Sequence, residues 1–270
     1  MTSHPTSSSL AAAERWHFRQ HGYVVTRIRL DPVARQRAID LVWQLVPAGF
    51  RPDDPRTWKG VVEDSCHRKD LHSRRGRLKY RECVRKESWL YDLLAGHPEA
   101  RAAVGELLGA GEVADPRCFR GLYPVFPLAS GSQKVVAGHL DTHPFQVGAV
   151  LYLDDVAAGG GGFHVWPGSH VPVALAHRSL HEDDPLPECV GVVRDCQDRG
   201  RPVELAGPAG TLILWHQRLV HAAGLNQSGR VRQAMLCDFS RRSLLEFQGE
   251  PHGGRLWDHW ADVSAEVAAA

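Results

Sequence analysis

The chain has 270 residues, 43% hydrophobic and 23% charged, a length that suits one large domain or at most two small ones and a core formed without staples. With 32 Lys+Arg against 31 Asp+Glu, no whole-protein field favours nucleic acid or a membrane surface, and no apolar run approaches the roughly 20 residues that span a bilayer. The six cysteines (Cys66, Cys83, Cys118, Cys189, Cys196, Cys237) contain no CxxC pair; with no secretory leader ahead of them they read as reduced thiols of a cytoplasmic protein.

Residues 1–9 are polar and Ser-rich and are expected to form a disordered tail. Ser9 is placed to cap a short helix running to Gln20, stopped by Gly22 and followed by a strand at Tyr23-Val24-Val25. Asp31-Pro32 reads as an N-cap with proline at the first helical position. Val33, Ile39, Leu41, Val42 and Leu45 then form the apolar side of a helix ending near Gly49. Residues 50–91 are the least regular and carry a basic run from His67 to Lys86. It reads as a solvated loop and helix face, or as a lid whose Arg77 and Arg81 meet an anionic substrate. Pro98 to Leu108 is a further helix, closed by Gly109.

From Phe119 the texture changes to short apolar runs split by Gly and Pro: 119–126, 133–137, 147–153, 163–166, 202–205, 211–215 and 231–239. That spacing belongs to an all-β barrel or sandwich. The four glycines Gly159 to Gly162 lack the Lys-Ser/Thr of a phosphate-binding loop. Residues 171–200 read as a long excursion between strands. Trp257-Asp258-His259-Trp260, in the C-terminal stretch 241–270, packs back on the domain or lines an oligomer contact.

Sixteen histidines raise the expectation of metal chemistry, and one constellation concentrates it. His139-Leu140-Asp141 on an extended segment points both outer side chains to one face, because strand side chains alternate. With a distant second imidazole, His221, they make the two-His-one-carboxylate set that holds non-heme Fe(II) and leaves coordination positions open. On the residues alone, His143 shares the alternation (though Pro144 ends the strand there), His216 competes with His221, and Arg230 competes with Arg232. His164 and His170 suit hydrogen bonding, Asp154-Asp155 suits strand termination, and Trp166, Trp215 and Phe145 suit either pocket or core.

The wider pattern resembles the phytanoyl-CoA dioxygenase family of Fe(II)/2-oxoglutarate-dependent oxygenases. It comprises His139-Leu140-Asp141, Leu153-Asp154-Asp155, Pro167-Gly168-Ser169-His170, Gly210-Thr211, His221, Asn226-Gln227-Ser228-Gly229 and Arg232, with Phe18 to Val25 resembling the family's opening. The resemblance implies a mainly β fold with flanking helices: a double-stranded β-helix (jelly roll, cupin-like) core over 119–240, N-terminal helices over 10–118, and one oxygenase domain over 10–270. It implies His139, Asp141 and His221 as iron ligands and selects His221 over His216. It also implies Arg232 as the partner of the far carboxylate of 2-oxoglutarate; Gln133 and Tyr123, on strands leading to His139, suit either a co-substrate contact or a structural role. His143, Trp166, Arg77 and Arg81 are the substrate-side candidates. The implied reaction consumes O2 and oxidises a small molecule, by default hydroxylating it, with release of succinate and CO2. Asp141 is intact, which separates the chain from halogenases that replace this carboxylate. The alternative is a cupin-like metal-binding module or isomerase that does not use 2-oxoglutarate.

Overall fold

The computed structural model describes residues 10–61, 67–68, 71–72, 76–81, 87–115, 119–132, 136–141, 143–176, 187–247 and 256–261. The tail 1–9 and Gln133 lie outside the described residues. The helices are α1 (Ala12–His21), α2 (Pro32–Leu45), α3 (Ser88–Leu93), α4 (Pro98–Leu108), α5 (His170–Ala176), α6 (Pro187–Arg199) and α7 (Leu244–Phe247). The strands are β1 (Tyr23–Arg27), β2 (His67–Arg68), β3 (Leu71–His72), β4 (Phe119–Leu122), β5 (Val147–Tyr152), β6 (Phe163–Val165), β7 (Val203–Leu205), β8 (Thr211–His216), β9 (His221–Ala223) and β10 (Ala234–Phe239).

Local chemistry sets the helix ends. Gly22 at φ 79° closes α1 in the left-handed region, where a side chain would be strained. The start of α1 differs from expectation: Ala11, not Ser9, is the N-cap, and its amide donates to Glu14 Oε2 at 2.7 Å. The Glu14 carboxylate satisfies a free N–H that no cap side chain reaches. Asp31 caps α2 as its sequence predicts, with Oδ1 accepting from Ala34 N at 2.8 Å ahead of Pro32.

Two antiparallel sheets form the core, one ordered β1-β8-β5-β10-β4 and the other β7-β6-β9. Period-two alternation divides the large sheet's side chains. Val147, Ala149, Leu151, Leu212, Leu214, Met235, Cys237 and Phe239 pack with the helices that carry Phe18, Val42, Val104 and Leu108. Val150, Tyr152, Ile213, Trp215 and Ala234 face the small sheet's Phe163 and Val165. Each fully buried aliphatic contributes about 1.5–3 kcal/mol. Tyr152 ties the sheets together, its hydroxyl donating to Leu205 O and accepting from Phe163 N at 2.8 Å. This is a double-stranded β-helix with helices packed outside it. The large sheet draws its edge strand β1 from outside 119–240, pairing Val24 with Leu214.

Two segments correct the sequence reading. The stretch 171–200 is an excursion between β6 and β7, as expected, but it holds most of α5 and all of α6. Val192, Val193 and Cys196 pack with Trp166, Val173 and Val220, and with the buried Cys189 they recur at helical spacing. The residues from Gly76 to Arg81 run extended along the continuation of β4, with Leu78 N donating to Pro124 O and Tyr80 N to Leu122 O at 3.0 and 2.9 Å. They are neither loop nor helix face. At the C-terminus, Trp257 and Trp260 pack back on the domain, Trp260 stacking on His216 at 4.8 Å and meeting Phe18 at a tilt, 5.5 Å away. Among the described residues, no helix is long and apolar enough to cross a membrane.

Candidate active site

His139 and His221 are brought together by their backbones. Each amide donates to the other's carbonyl, at 2.9 and 3.1 Å, so the residues sit directly opposite in an antiparallel pair. Both segments are buttressed from behind. Ser169 Oγ accepts from Val220 N at 2.9 Å, and Gln197 of α6 accepts from Gly138 N at 3.0 Å. A Cβ on Gly138 would come within 2.6 Å of Val220 and 3.0 Å of Trp166, so glycine is what lets this segment lie so close to the strand.

The His221 ring stacks on Phe163 at 5.3 Å and meets Trp215 at 5.3 Å. Its Nδ1–H donates to Leu219 O at 2.8 Å, which fixes the tautomer and leaves Nε2 as an acceptor. That Nε2 lies 3.2 Å from Asp141 Oδ2, near the roughly 3 Å expected between adjacent ligands of one metal at about 2.1 Å. Ligand atoms of His139, Asp141 and His221 all lie within 4.8 Å of one another. His139 opens toward the cavity along one edge, but desolvation by the surrounding walls, and then His221, lower its pKa to about 3. It is therefore neutral, as a metal ligand must be. Two imidazoles and one carboxylate on converging segments fit a divalent metal ion.

Burial pushes the Asp141 carboxyl up, but Arg120 and then His221 outweigh it and hold the group well below the usual carboxylate range. Arg120, on β4, donates from Nη2 to Asp141 at 2.9 Å and from Nε to both oxygens of Asp238 at 2.7 and 2.8 Å. Its guanidinium lies 5.0 Å from the Phe145 ring and 5.5 Å from Trp215. Asp238, on β10, also accepts from His143 Nε2 at 2.7 Å. His143 thus supports the carboxylate network from behind. The sequence reading missed Arg120, although a lone arginine inside the run Phe119–Phe126 was the signal.

Arg232 is 4% exposed, and its Nε has no hydrogen-bond partner. Desolvation lowers its pKa to about 10, which leaves it charged at neutral pH. Among the described residues it has no carboxylate partner. Asn226 organises the turn that presents it: Nδ2 donates to Val125 O at 2.8 Å and to Arg230 O at 2.6 Å, while Oδ1 accepts from Ser228. Arg230 itself is exposed.

Asp141, both histidines and Arg232 share one cavity with Arg77, Lys79, Arg81, Arg120, Tyr123 and Phe163. Tyr123 is buried, and its hydroxyl accepts from Arg81 Nε at 2.9 Å. Arg77 and Arg81 therefore reach the site, and Lys79, which the sequence reading passed over, stands between them. Trp166 does not line this cavity. It packs with Val173, Val220 and Ala222, because its segment supports the His221 strand. His216 turns away toward Trp260, with Nδ1 accepting from Arg218 N at 3.0 Å. Asp154 bonds locally, its Oδ1 accepting from Asp155 N at 2.9 Å.

The family model described as phytanoyl-CoA dioxygenase (PhyH) matches residues 18–234. The chain belongs to this family. Solved structures agree in fold. The epimerase SnoN, in complex with Fe3+, alpha ketoglutarate and nogalamycin RO, is 20% identical at TM-score 0.57 and covers 84% of this chain and 82% of its own. The alpha ketoglutarate dependent carbocyclase SnoK is 20% identical at TM-score 0.57, covering 94% and 98%. EctD from S. alaskensis with bound Fe is 17% identical at TM-score 0.54, covering 88% and 79%. A comparison with curated proteins returned no match.

Proposed function

We propose that this PhyH-family protein is an Fe(II)- and 2-oxoglutarate-dependent dioxygenase, acting as one domain over 10–270, that oxidises a small molecule with release of succinate and CO2. The observation that carries the reading is a buried Arg232 guanidinium without a carboxylate partner, facing the cavity that holds the His139, Asp141 and His221 donor set. A buried charge of this kind is costly unless an anion meets it. The far carboxylate of 2-oxoglutarate supplies that anion, and a planar guanidinium can grip it through two parallel bonds. The iron, when bound, supplies the oxygen chemistry; everything else falls to the chain.

His139, Asp141 and His221 hold the metal. Arg120 keeps Asp141 ionised and aimed, and Leu219 O keeps His221 in the tautomer whose Nε2 faces the metal. Phe163, Val150 and Leu236 form the apolar part of the cavity wall. Tyr123, whose hydroxyl accepts from Arg81, is our candidate for a further co-substrate contact. Arg77 and Arg81 put positive charge at the substrate side. Asp141 fills the position that halogenases leave open, so hydroxylation, our default, or another oxidative outcome is favoured over halogenation. The test is succinate formation from 2-oxoglutarate by the Fe(II)-loaded protein, with and without candidate small molecules. Slow substrate-free turnover that a true substrate accelerates supports the reading. Tight metal binding with neither binding nor turnover of 2-oxoglutarate would replace it by the cupin-like alternative.

A further inference from the structure

The segment that carries Asp141 is tied at both ends. Its upstream end is the backbone pairing of His139 with His221. Its downstream end is Gln146, the residue before β5, which is 4% exposed. The Gln146 amide donates to Phe239 O of β10, and its carbonyl accepts from Gln217 N, both at 3.0 Å. In the side chain, Oε1 accepts from Arg241 N at 2.8 Å, and Nε2 donates to His259 O at 3.0 Å. Gln217 returns to the same segment, its Nε2 donating to His143 O at 3.2 Å. The His143 ring meets Asp238, which Arg120 joins to Asp141.

His259 belongs to a short strap, Trp257 to Ala261, that docks across several elements. Trp257 meets the rings of His170 at 5.6 Å and His216 at 5.4 Å, and the Arg19 guanidinium lies 5.0 Å from its own ring. Trp260 stacks on His216. Ala261 N donates to Leu107 O at 2.9 Å, and Ala261 O accepts from Arg19. Two half-buried indoles thus hold an irregular stretch of backbone in place. The Gln146 carboxamide carries that docking to the foot of the Asp141 segment. Being buried, it is satisfied only while His259 O and Arg241 N both stand within hydrogen-bond distance.

We infer that Gln146 is a positioning residue through which the Trp257–Ala261 strap fixes the Asp141 segment, so that strap docking and Fe(II) binding reinforce each other. The coupling is reciprocal: what the docked strap adds to metal affinity, the bound metal adds to docking. This rests on the metal reading of His139, Asp141 and His221, which the wild-type titration tests by itself.

Anaerobic Fe(II) titrations and amide hydrogen exchange of the strap are compared in wild type, Gln146→Leu, Trp260→Leu, their double variant and Val42→Ala. Val42, buried in α2, makes none of these side-chain contacts with the strap or Gln146 and controls for lost stability. Gln146→Leu and Trp260→Leu each weaken Fe(II) binding about three- to tenfold, while Val42→Ala stays within about twofold of wild type. The double variant is no weaker than Gln146→Leu, because both changes break one connection. Fe(II) slows exchange of the strap amides in wild type and in Val42→Ala but not in Gln146→Leu, a difference that a merely structural glutamine would not produce. Unchanged Fe(II) affinity in either single variant, losses that add in the double variant, an equal loss in Val42→Ala, or strap exchange indifferent to Fe(II) in wild type would overturn the inference. Wild type that binds no Fe(II) would instead remove the metal reading beneath it.

Discussion

Arg120 and Asp141 are joined by a 2.9 Å hydrogen bond, and the same guanidinium grips Asp238 through Nε. A carboxylate on an irregular segment is thereby aimed by a strand. Arg120→Met leaves Asp141 and Asp238 buried without a cation, a loss of about 3–5 kcal/mol, and weakens Fe(II) affinity about 10–100-fold. Asp238→Asn keeps the packing and lowers iron affinity less. Chemical denaturation and Fe(II) titration of both variants measure this; unchanged iron affinity in Arg120→Met would show that Asp141 needs no positioning.

Arg232 is penalised by burial in the free protein, so Arg232→Met is expected to be neutral or stabilising without ligand. With 2-oxoglutarate at 100 times its Kd, the metal-loaded wild type gains about 2.7 kcal/mol, and the variant gains almost none. Thermal melts with and without co-substrate read the difference. An equal gain in both proteins would place the far carboxylate elsewhere.

Stability should also depend on pH through Lys79. Its ordinary pKa is 10.5, and the folded value is about 7. Between those values the unfolded chain holds a proton that the folded one releases, so this group makes folding more favourable as pH rises across the window. Arg77, Arg81 and Arg120 push in the same direction, and Asp141 opposes them. Lys79→Met is therefore expected to exceed wild type in melting temperature most at pH 6 and least near pH 10. A gap that does not change with pH would mean that Lys79 is not desolvated.

Gly148 lies on β5 opposite Trp215, and a Cβ there would collide with the indole ring. Gly148→Ala should cost about 1–3 kcal/mol by overpacking. Because Trp215 contacts the His221 ring, iron affinity should fall with it. Melting and metal titration of the variant check both effects, and a change in stability alone would uncouple Trp215 from the site.

Local and periodic signals were legible in the sequence. Asp31 and Pro32 announced α2, Gly22 announced the end of α1, and His139, Asp141, His221 and Arg232 were legible through spacing and resemblance. What escaped depended on tertiary partners or on a pattern read at the wrong period. Charge density hid the strand alternation of Arg77 to Arg81, and with it Lys79. Arg120 has meaning only beside Asp238, which is 118 residues away. The helical spacing of Cys189, Val192, Val193 and Cys196 was present but lay within a stretch read as a loop.

The most direct test is anaerobic visible absorption of the purified protein given Fe(II) and then 2-oxoglutarate, beside Asp141→Ala and Arg232→Ala. A metal-to-ligand charge-transfer band in the wild type, absent in Asp141→Ala and needing far more 2-oxoglutarate in Arg232→Ala, is the predicted result. Metal bound by the wild type with no such band at saturating 2-oxoglutarate would contradict the account.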